Sequence, residues 1–437
     1  MLKRKIYKKL LEWKNDNNHK PLLVKGARQI GKTFIISEFG KNEYENFIHI
    51  DFIKNPEYKL IFDGNLTPQK IYEQISLRVD NANLEKGKTL IFLDEIQRCP
   101  KARTAFKYLN EDRSYDFIAS GSLLGIRYNY EENKEFSVPV GSETDIEMFS
   151  LDFEEFLWAL GTKEETIDIL EKYFVNKEKV PDDVNEKYMK YFKTYMFVGG
   201  MPEAVNTYIT NQNLIEVNKK QNEILKNYQD DIMHYATNTM KQKIINCYDS
   251  MTEQLSKEYK KFQYSKVEKG GTAKKYESAI NWLIDAGMLK KCINVKTIEF
   301  PIKGFEKNED FKLYLTDIGL LTCMYGFDTQ KAILTDELKS TAKGGIYENA
   351  VFTQLMQKFE NLHYYKKETN SQEIEFIFEK GVEIIPIEVK SKNGKTISLN
   401  EFIKDYKPSI AYKIIDGNLG FKENKLSMPY YMIIYDL

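Results

Sequence analysis

Arginine stops at Arg127. The 437-residue chain carries it only at Arg4, Arg28, Arg78, Arg98, Arg103, Arg113 and Arg127, and lysine supplies the positive charge beyond them. Forked guanidinium chemistry is therefore excluded from the last two thirds of the protein. Cysteine and histidine are scarce as well. Cys99, Cys247, Cys292 and Cys323 show no C-x-x-C spacing and are joined by only four histidines, which argues against a zinc site and for a reducing, cytoplasmic setting. Net charge is −1, so any contact with nucleic acid has to come from a local patch. No apolar run approaches the roughly 20 residues that span a bilayer, so no membrane partner is expected. The opening string MLKRKIYKKLLEWK lacks the apolar core of a signal peptide. It reads as a basic amphipathic helix with Ile6, Leu10, Leu11 and Trp13 on one side, docked on the protein.

What the chain does have is concentrated first at residues 26–33, GARQIGKT, which fit the phosphate-binding pattern G-x-x-x-x-G-K-[ST]. Pro21, Leu22, Leu23 and Val24 precede it as a short run without a polar face, as in a buried parallel strand. Gly26 and Gly31 let the backbone turn tightly enough to aim its N–H groups at phosphate oxygens. A helix starting near Lys32 adds its positive N-terminal end. The expected nucleotide contacts are Gly26, Ala27, Arg28, Gln29, Ile30, Gly31, Lys32, Thr33 and Phe34. Lys32 is placed to neutralise the β- and γ-phosphates, and Thr33 to ligate Mg²⁺. Further on, LIFLDE ends in Asp94, which would hold the same ion, and Glu95, which would orient or deprotonate the attacking water. The cofactors implied are ATP and Mg²⁺. A later strand ends in Ser120-Gly121-Ser122, where Ser120 either touches the γ-phosphate or caps the next turn.

At a prior of roughly 150 residues per domain the chain holds two to four domains, of α/β class. Residues 1–164 alternate strands with helices, as a parallel sheet does, with strands at Leu22–Lys25, Asn46–Phe52, Thr89–Leu93 and Tyr115–Ser120. Residues 165–334 turn helical and then follow a winged-helix pattern. In it, a helix at Ile244–Phe262 and a second at Thr272–Asp285 precede wing strands at Leu289–Val295 and Phe311–Leu315. The exposed side of the second helix offers Lys274, Lys275 and Asn281, which suit phosphate contact with DNA better than guanine readout. Residues 335–437 run helix (Ile346–Phe359), strand (His363–Lys366), strand (Ile374–Glu379), strand (Glu383–Lys390), helix (Leu399–Tyr406), then further strands ending in PYYMIIY.

That last segment carries Glu348 on its helix, Glu375 on one strand, and Glu388-Val389-Lys390 on the next. Alternation puts Glu388 and Lys390 on one face. Carboxylates converging from adjacent elements hold Mg²⁺ or Mn²⁺ through hard oxygens, so Glu348, Glu375 and Glu388 are the expected metal ligands. Lys390 beside them would position or deprotonate a water for phosphodiester attack.

Taken together, the strings GARQIGKT, LDEIQRCP, SGS, LDFEEFLWALG, FVGGMPEAV, YLTDIGLL, GGIYENAV and IIPIEVKS resemble a prokaryotic family of AAA+-type P-loop ATPases. Its members end in a PD-(D/E)xK nuclease-like, restriction-endonuclease-like domain of unknown function. The resemblance implies an ATPase with a helical and winged-helix middle, acting on a DNA-binding or nuclease-like output. It also implies partners among DNA and further copies of the chain. Two departures qualify it. The Gly-Arg pair usual ahead of the P-L-S-F-x-E-F-L stretch is replaced here by Gly141-Ser142, and Glu375 stands where the nuclease pattern favours aspartate. An arginine finger must then be Arg98, Arg103, Arg113 or Arg127, and slow, switch-like turnover follows. The alternative is an assembly scaffold whose nuclease-like domain is catalytically inactive and binds a partner.

Overall fold

The structure, a computed structural model, describes residues 2–123, 139, 141–367, 372–390 and 396–437. Two compact units emerge. One comprises residues 3–149 with 285–287, the other 150–284 with 288–437. Among the described residues no helix is long and apolar enough to cross a membrane.

The first unit is built on a parallel sheet of five strands, β1 (Leu22–Gly26), β2 (Asn46–Asp51), β3 (Thr89–Asp94), β4 (Asp116–Ser122) and β5 (Thr144–Met148). Their order is β2-β3-β4-β1-β5, with every pair parallel. β3 is buried at every position, as its unbroken apolar run requires of a strand covered on both faces. Below the sheet, Ile91 and Leu93 pack with Ile48, Ile50, Phe62, Ile71 and Phe106 into one apolar core. β5 is the strand the sequence does not announce. TDIEM has no apolar run because only its Met148 end is buried at this sheet edge. The helix at Lys5–Asn15 buries Ile6, Leu10 and Trp13, while Leu11 stays partly exposed. Arg4, ahead of it, donates to the carbonyls of Ile30 (3.1 Å) and Phe149 (2.6 Å), bracing the end of the loop that follows β1.

The second unit combines helices, among them Asp182–Val198 and Leu214–Tyr235, with a mixed sheet of eight strands. These are β6 (Leu289–Val295), β7 (Glu306–Leu315), β8 (His363–Lys366), β9 (Glu373–Lys380), β10 (Glu383–Lys390), β11 (Ala411–Ile415), β12 (Gly420–Lys422) and β13 (Lys425–Pro429). They run in the order β12-β13-β11-β10-β9-β8-β6-β7. The expected wing strands therefore exist, with β7 reaching back to Glu306, but they continue into the larger sheet through parallel pairing of β6 with β8. Three local expectations fail. The helix expected over Ile244–Phe262 is broken into Asn238–Asp249 and Met251–Leu255, so that Phe262 can donate its N–H to Phe311. The helix expected over Ile346–Phe359 is shifted, running Ala342–Leu355. The final PYYMIIY, apolar enough to read as a strand, is instead a 3₁₀ turn at Tyr430–Ile434 whose side chains are all buried.

Candidate functional site

β1 ends at Gly26 and the chain re-enters helix at Lys32, so the loop between them sits at the carboxyl end of the parallel sheet. A side chain at Gly26 would collide with the carbonyl of Met148 on β5, and Gly31 adopts φ +91°, so both glycines are required by the backbone. The amine of Lys32 lies over this loop, donating to the carbonyls of Ala27 (2.7 Å) and Gly26 (3.2 Å). Burial pulls its pKa down to about 8, against the opposing pull of Glu95 and Asp94. Phe34, by contrast, is exposed.

Asp94 closes β3 and is nearly inaccessible at 2% exposure. Its two oxygens face different neighbours. Oδ1 accepts from Thr33 Oγ1 (3.1 Å), from the Ser120 hydroxyl and from the Glu95 N–H (3.2 Å). Oδ2 lies 3.3 Å from Nε2 of His49. Burial alone would raise the Asp94 pKa, but the hydrogen bonds from His49, Ser120 and Thr33 outweigh it and hold the carboxyl below its ordinary range. Glu95 sits in the left-handed region at φ +56° and accepts from the amide of Gln97. Burial pushes its pKa up, with Lys32 opposing and Asp94 reinforcing. The pair thus splits into a carboxyl held ionised and a more basic neighbour. Ser120, offered as a phosphate contact or a turn cap, is fully buried with its hydroxyl on Asp94.

In the second unit, the polar residues of the helix Ala342–Leu355 and of β9 and β10 lie near one another in a different arrangement from that expected. Among the described residues, the one group of three His, Cys, Asp or Glu side chains whose ligand atoms lie within 4.8 Å of one another is His49, Asp51 and Asp94; Glu348, Glu375 and Glu388 form no such group. Glu348 is already taken. Its Oε1 meets the Lys312 amine at 3.0 Å and the Tyr314 hydroxyl at 2.5 Å, and its Oε2 meets Lys260 at 3.0 Å. Burial opposes ionisation there, yet Lys260 and Lys312 hold the carboxyl well below the usual carboxylate range. Glu375 is bonded to the Lys390 amine at 2.5 Å and to the Val389 N–H at 3.2 Å. Only Glu388 differs. It is fully buried and neither carboxylate oxygen has a hydrogen-bond partner. Burial, then Glu375 nearby, pushes its pKa up to about 7. Beside this centre opens a cleft of about 540 Å³, lined by Lys257, Lys260, Lys343, Glu348, Glu375 and Lys390 among others.

With this geometry in view, comparison with known proteins becomes informative. Residues 18–157 match an AAA domain. Residues 189–331 and 343–432 match two domains of unknown function, DUF8612 and DUF4143. No curated protein shows significant similarity to the chain. Among solved structures it is similar to the Walker-type ATPase paby2304 of Pyrococcus abyssi, at 14% identity and TM-score 0.44, covering 74% of this chain and 96% of that one. It is also similar to the Aeropyrum pernix ORC2 protein, at 13% identity and TM-score 0.28, covering 76% and 92%. A third is AMPPCP-bound DnaA from Aquifex aeolicus, at 12% identity and TM-score 0.28, covering 64% and 87%. Overlaps this distant carry no functional argument for the present chain.

Within the AAA domain the arginines sort by their neighbours. Arg103 is clamped to Glu143 through Nε at 3.0 and 3.1 Å and through a terminal nitrogen, with both side chains largely buried, so its guanidinium is engaged in an ion pair within the unit. Arg113 is exposed and Arg98 partly so, whereas Arg127 lies outside the described residues. In the second unit Lys274 and Lys275 are both exposed, Lys275 is paired with Glu268, and Asn281 accepts from Lys291 at 3.3 Å. Sequence reasoning missed His49, Gln97, Lys260 and Lys312. His49 and Asp51 share one face of β2, but only the register setting Asp51 against Asp94 makes them neighbours of the site. For Lys312 no sequence signal existed, because FKLYL gives its lysine the alternation of a solvent-facing residue.

Proposed function

We propose that the protein is an ATP-dependent switch: it binds ATP with Mg²⁺, hydrolyses it slowly, and its nucleotide state governs a DNA-binding or nuclease-like module. The observation that carries this reading is the convergence of Lys32, Thr33, Asp94 and Glu95 at the carboxyl ends of β1 and β3. Thr33 Oγ1 and Asp94 Oδ1, 3.1 Å apart, are hard oxygen donors that fit Mg²⁺, which when bound neutralises phosphate charge. Lys32 would leave the loop carbonyls for the phosphates. Glu95, made more basic by burial, would take a proton from the attacking water. Lys32→Ala should abolish ATP binding in calorimetry, whereas Glu95→Gln should bind and lose about 100-fold or more of its turnover. Equal loss of binding in both would overturn these roles.

For the output module, the hairpin β6–β7 with the helix Ala273–Asp285 supports a winged-helix reading, and β8 to β10 with the helix Ala342–Leu355 a PD-(D/E)xK reading. Glu388, whose buried oxygens are orphaned beside Glu375, fits a Mg²⁺ or Mn²⁺ ligand; Glu348, held by two lysines, does not. That second fact favours the alternative, a scaffold whose nuclease-like domain binds a partner without cutting. A plasmid assay in Mg²⁺ or Mn²⁺, with and without ATP, separates the two. Cutting that disappears in Glu388→Ala and Lys390→Ala supports a nuclease, and no cutting in any condition supports the scaffold.

A further inference from the structure

β2 ends beside the nucleotide site, where so far only the hydrogen bond of His49 to Asp94 has been given a part. Its alternation puts His49 and Asp51 on one face, and its parallel register sets Asp51 directly against Asp94 of β3. The result is an imidazole and two carboxylates whose ligand atoms all lie within 4.8 Å of one another. Three features make this more than a chance approach. The ring of His49 is stacked on Phe92 at 4.8 Å and 13° and lies against Phe47, so the direction of Nε2 is fixed by apolar packing. Asp51 uses Oδ1 to accept from the N–H groups of Ile53 (2.8 Å) and Lys54 (2.9 Å), which orients the carboxylate. Asp94 turns Oδ1 toward Thr33 and Ser120, on the phosphate-loop side, and Oδ2 toward His49. A carboxylate with its two oxygens committed to two different sides is the geometry of a bridging ligand.

We propose that His49, Asp51 and Asp94 form a second divalent-cation site, selective for Mn²⁺ or Zn²⁺ over Mg²⁺, which shares Asp94 with the nucleotide's ion. The selectivity follows from the ligand set. One imidazole with carboxylates suits borderline first-row ions, whereas Mg²⁺ prefers oxygen and water alone. Sharing Asp94 also gives the site an effect on catalysis. An ion drawing on Oδ2 reduces the negative charge Asp94 offers through Oδ1, so occupancy slows ATP hydrolysis. This last consequence rests on the ATPase reading, whereas the site itself does not.

The test separates the two. Untagged Lys32→Ala protein, which on the ATPase reading binds no nucleotide, is titrated without nucleotide using Mn²⁺ followed by electron paramagnetic resonance, then Zn²⁺ followed by calorimetry in competition with excess Mg²⁺. With Glu388→Gln added to remove the other candidate Mn²⁺ ligand, the expected result is one ion per chain. His49→Gln and Asp51→Asn placed in the same background should each weaken binding by about tenfold or more, and circular dichroism reports whether each variant is folded. Asp51→Asn keeps an oxygen able to accept from Ile53 and Lys54, so it probes the charge rather than the turn. No stoichiometric ion in the Lys32→Ala protein, or unchanged affinity in either folded variant, overturns the site. In protein with Lys32 intact, micromolar Zn²⁺ should slow phosphate release in excess Mg²⁺, and His49→Gln should blunt that inhibition. If the ion binds but hydrolysis is untouched, the site stands and the shared use of Asp94 is overturned.

Discussion

Lys312 is completely buried, with its amine 3.0 Å from Glu348 and 2.7 Å from Glu373. Burial alone would lower its pKa; facing Glu348, Glu373 and Glu375, it keeps its charge, with a pKa above the ordinary lysine value. Removing one member of such a group leaves the others uncompensated. Lys312→Met should therefore cost about 3–5 kcal/mol, read as a drop in the urea midpoint, with partial recovery in Lys312→Met/Glu348→Gln. A neutral single variant would show that Glu348 does not depend on it. His19 supplies a pH-dependent case. It lies 2.9 Å from Asp116 and its hydrogen bond to that carboxylate, opposed by burial, raises its pKa. A histidine raised on folding stabilises below its unfolded pKa, and that contribution disappears as pH rises through the folded value. His19→Asn should thus lower Tm at pH 5.5 by more than it does at pH 9. Equal losses at both would mean that the pair is packing, not charge. At this scale the sequence was informative where chemistry is local. GARQIGKT falls between β1 and a helix, LDE at the end of β3 and the E-x-K triplet on β10, where their local patterns placed them. The sequence was silent on Lys260 and Lys312, whose meaning depends on what folds over them.

The helix Ala342–Leu355 shows how an element can reverse an ordinary expectation. Two glycines stand side by side in its first turns. A side chain at Gly344 would meet open space, whereas one at Gly345 would strike the carbonyl of Leu255. Helical Gly→Ala ordinarily stabilises by about 1 kcal/mol. Gly344→Ala should do so, while Gly345→Ala should destabilise by about 1–3 kcal/mol as the helix is pushed off its neighbour. Thermal melts of the two variants check this, and shifts of the same sign would refute the close approach. Strands with continuous apolar runs, β1 and β3 above all, were placed within a residue from sequence. β5 escaped because an edge strand with exposed positions has no such run. PYYMIIY misled for the opposite reason, since burial and strand conformation are separate properties, and a buried 3₁₀ turn is apolar too.

For the molecule as a whole, the distribution of arginine sets the expected rate. With Arg103 committed to Glu143 and no arginine beyond Arg127, cationic stabilisation of the transferring phosphoryl group falls to few candidates. Steady-state phosphate release should give a kcat below about 1 s⁻¹, at the low edge of the usual enzyme range; tens per second would refute the switch. The parallel nucleotide sheet was legible because each βα step carries its own local signal. The eight-stranded sheet was not, since β6 and β8 are separated by the helices Ile318–Met324, Phe327–Leu334 and Ala342–Leu355. That pairing has a consequence for synthesis. The β6–β7 hairpin leaves the ribosome before β8 does, and until β8 emerges the edge of β6 destined for it has no partner. Unpaired strand edges recruit other chains. A chain stopped after Leu338 should accumulate as aggregate, and slowing translation between Leu315 and His363 should lower the yield of soluble protein.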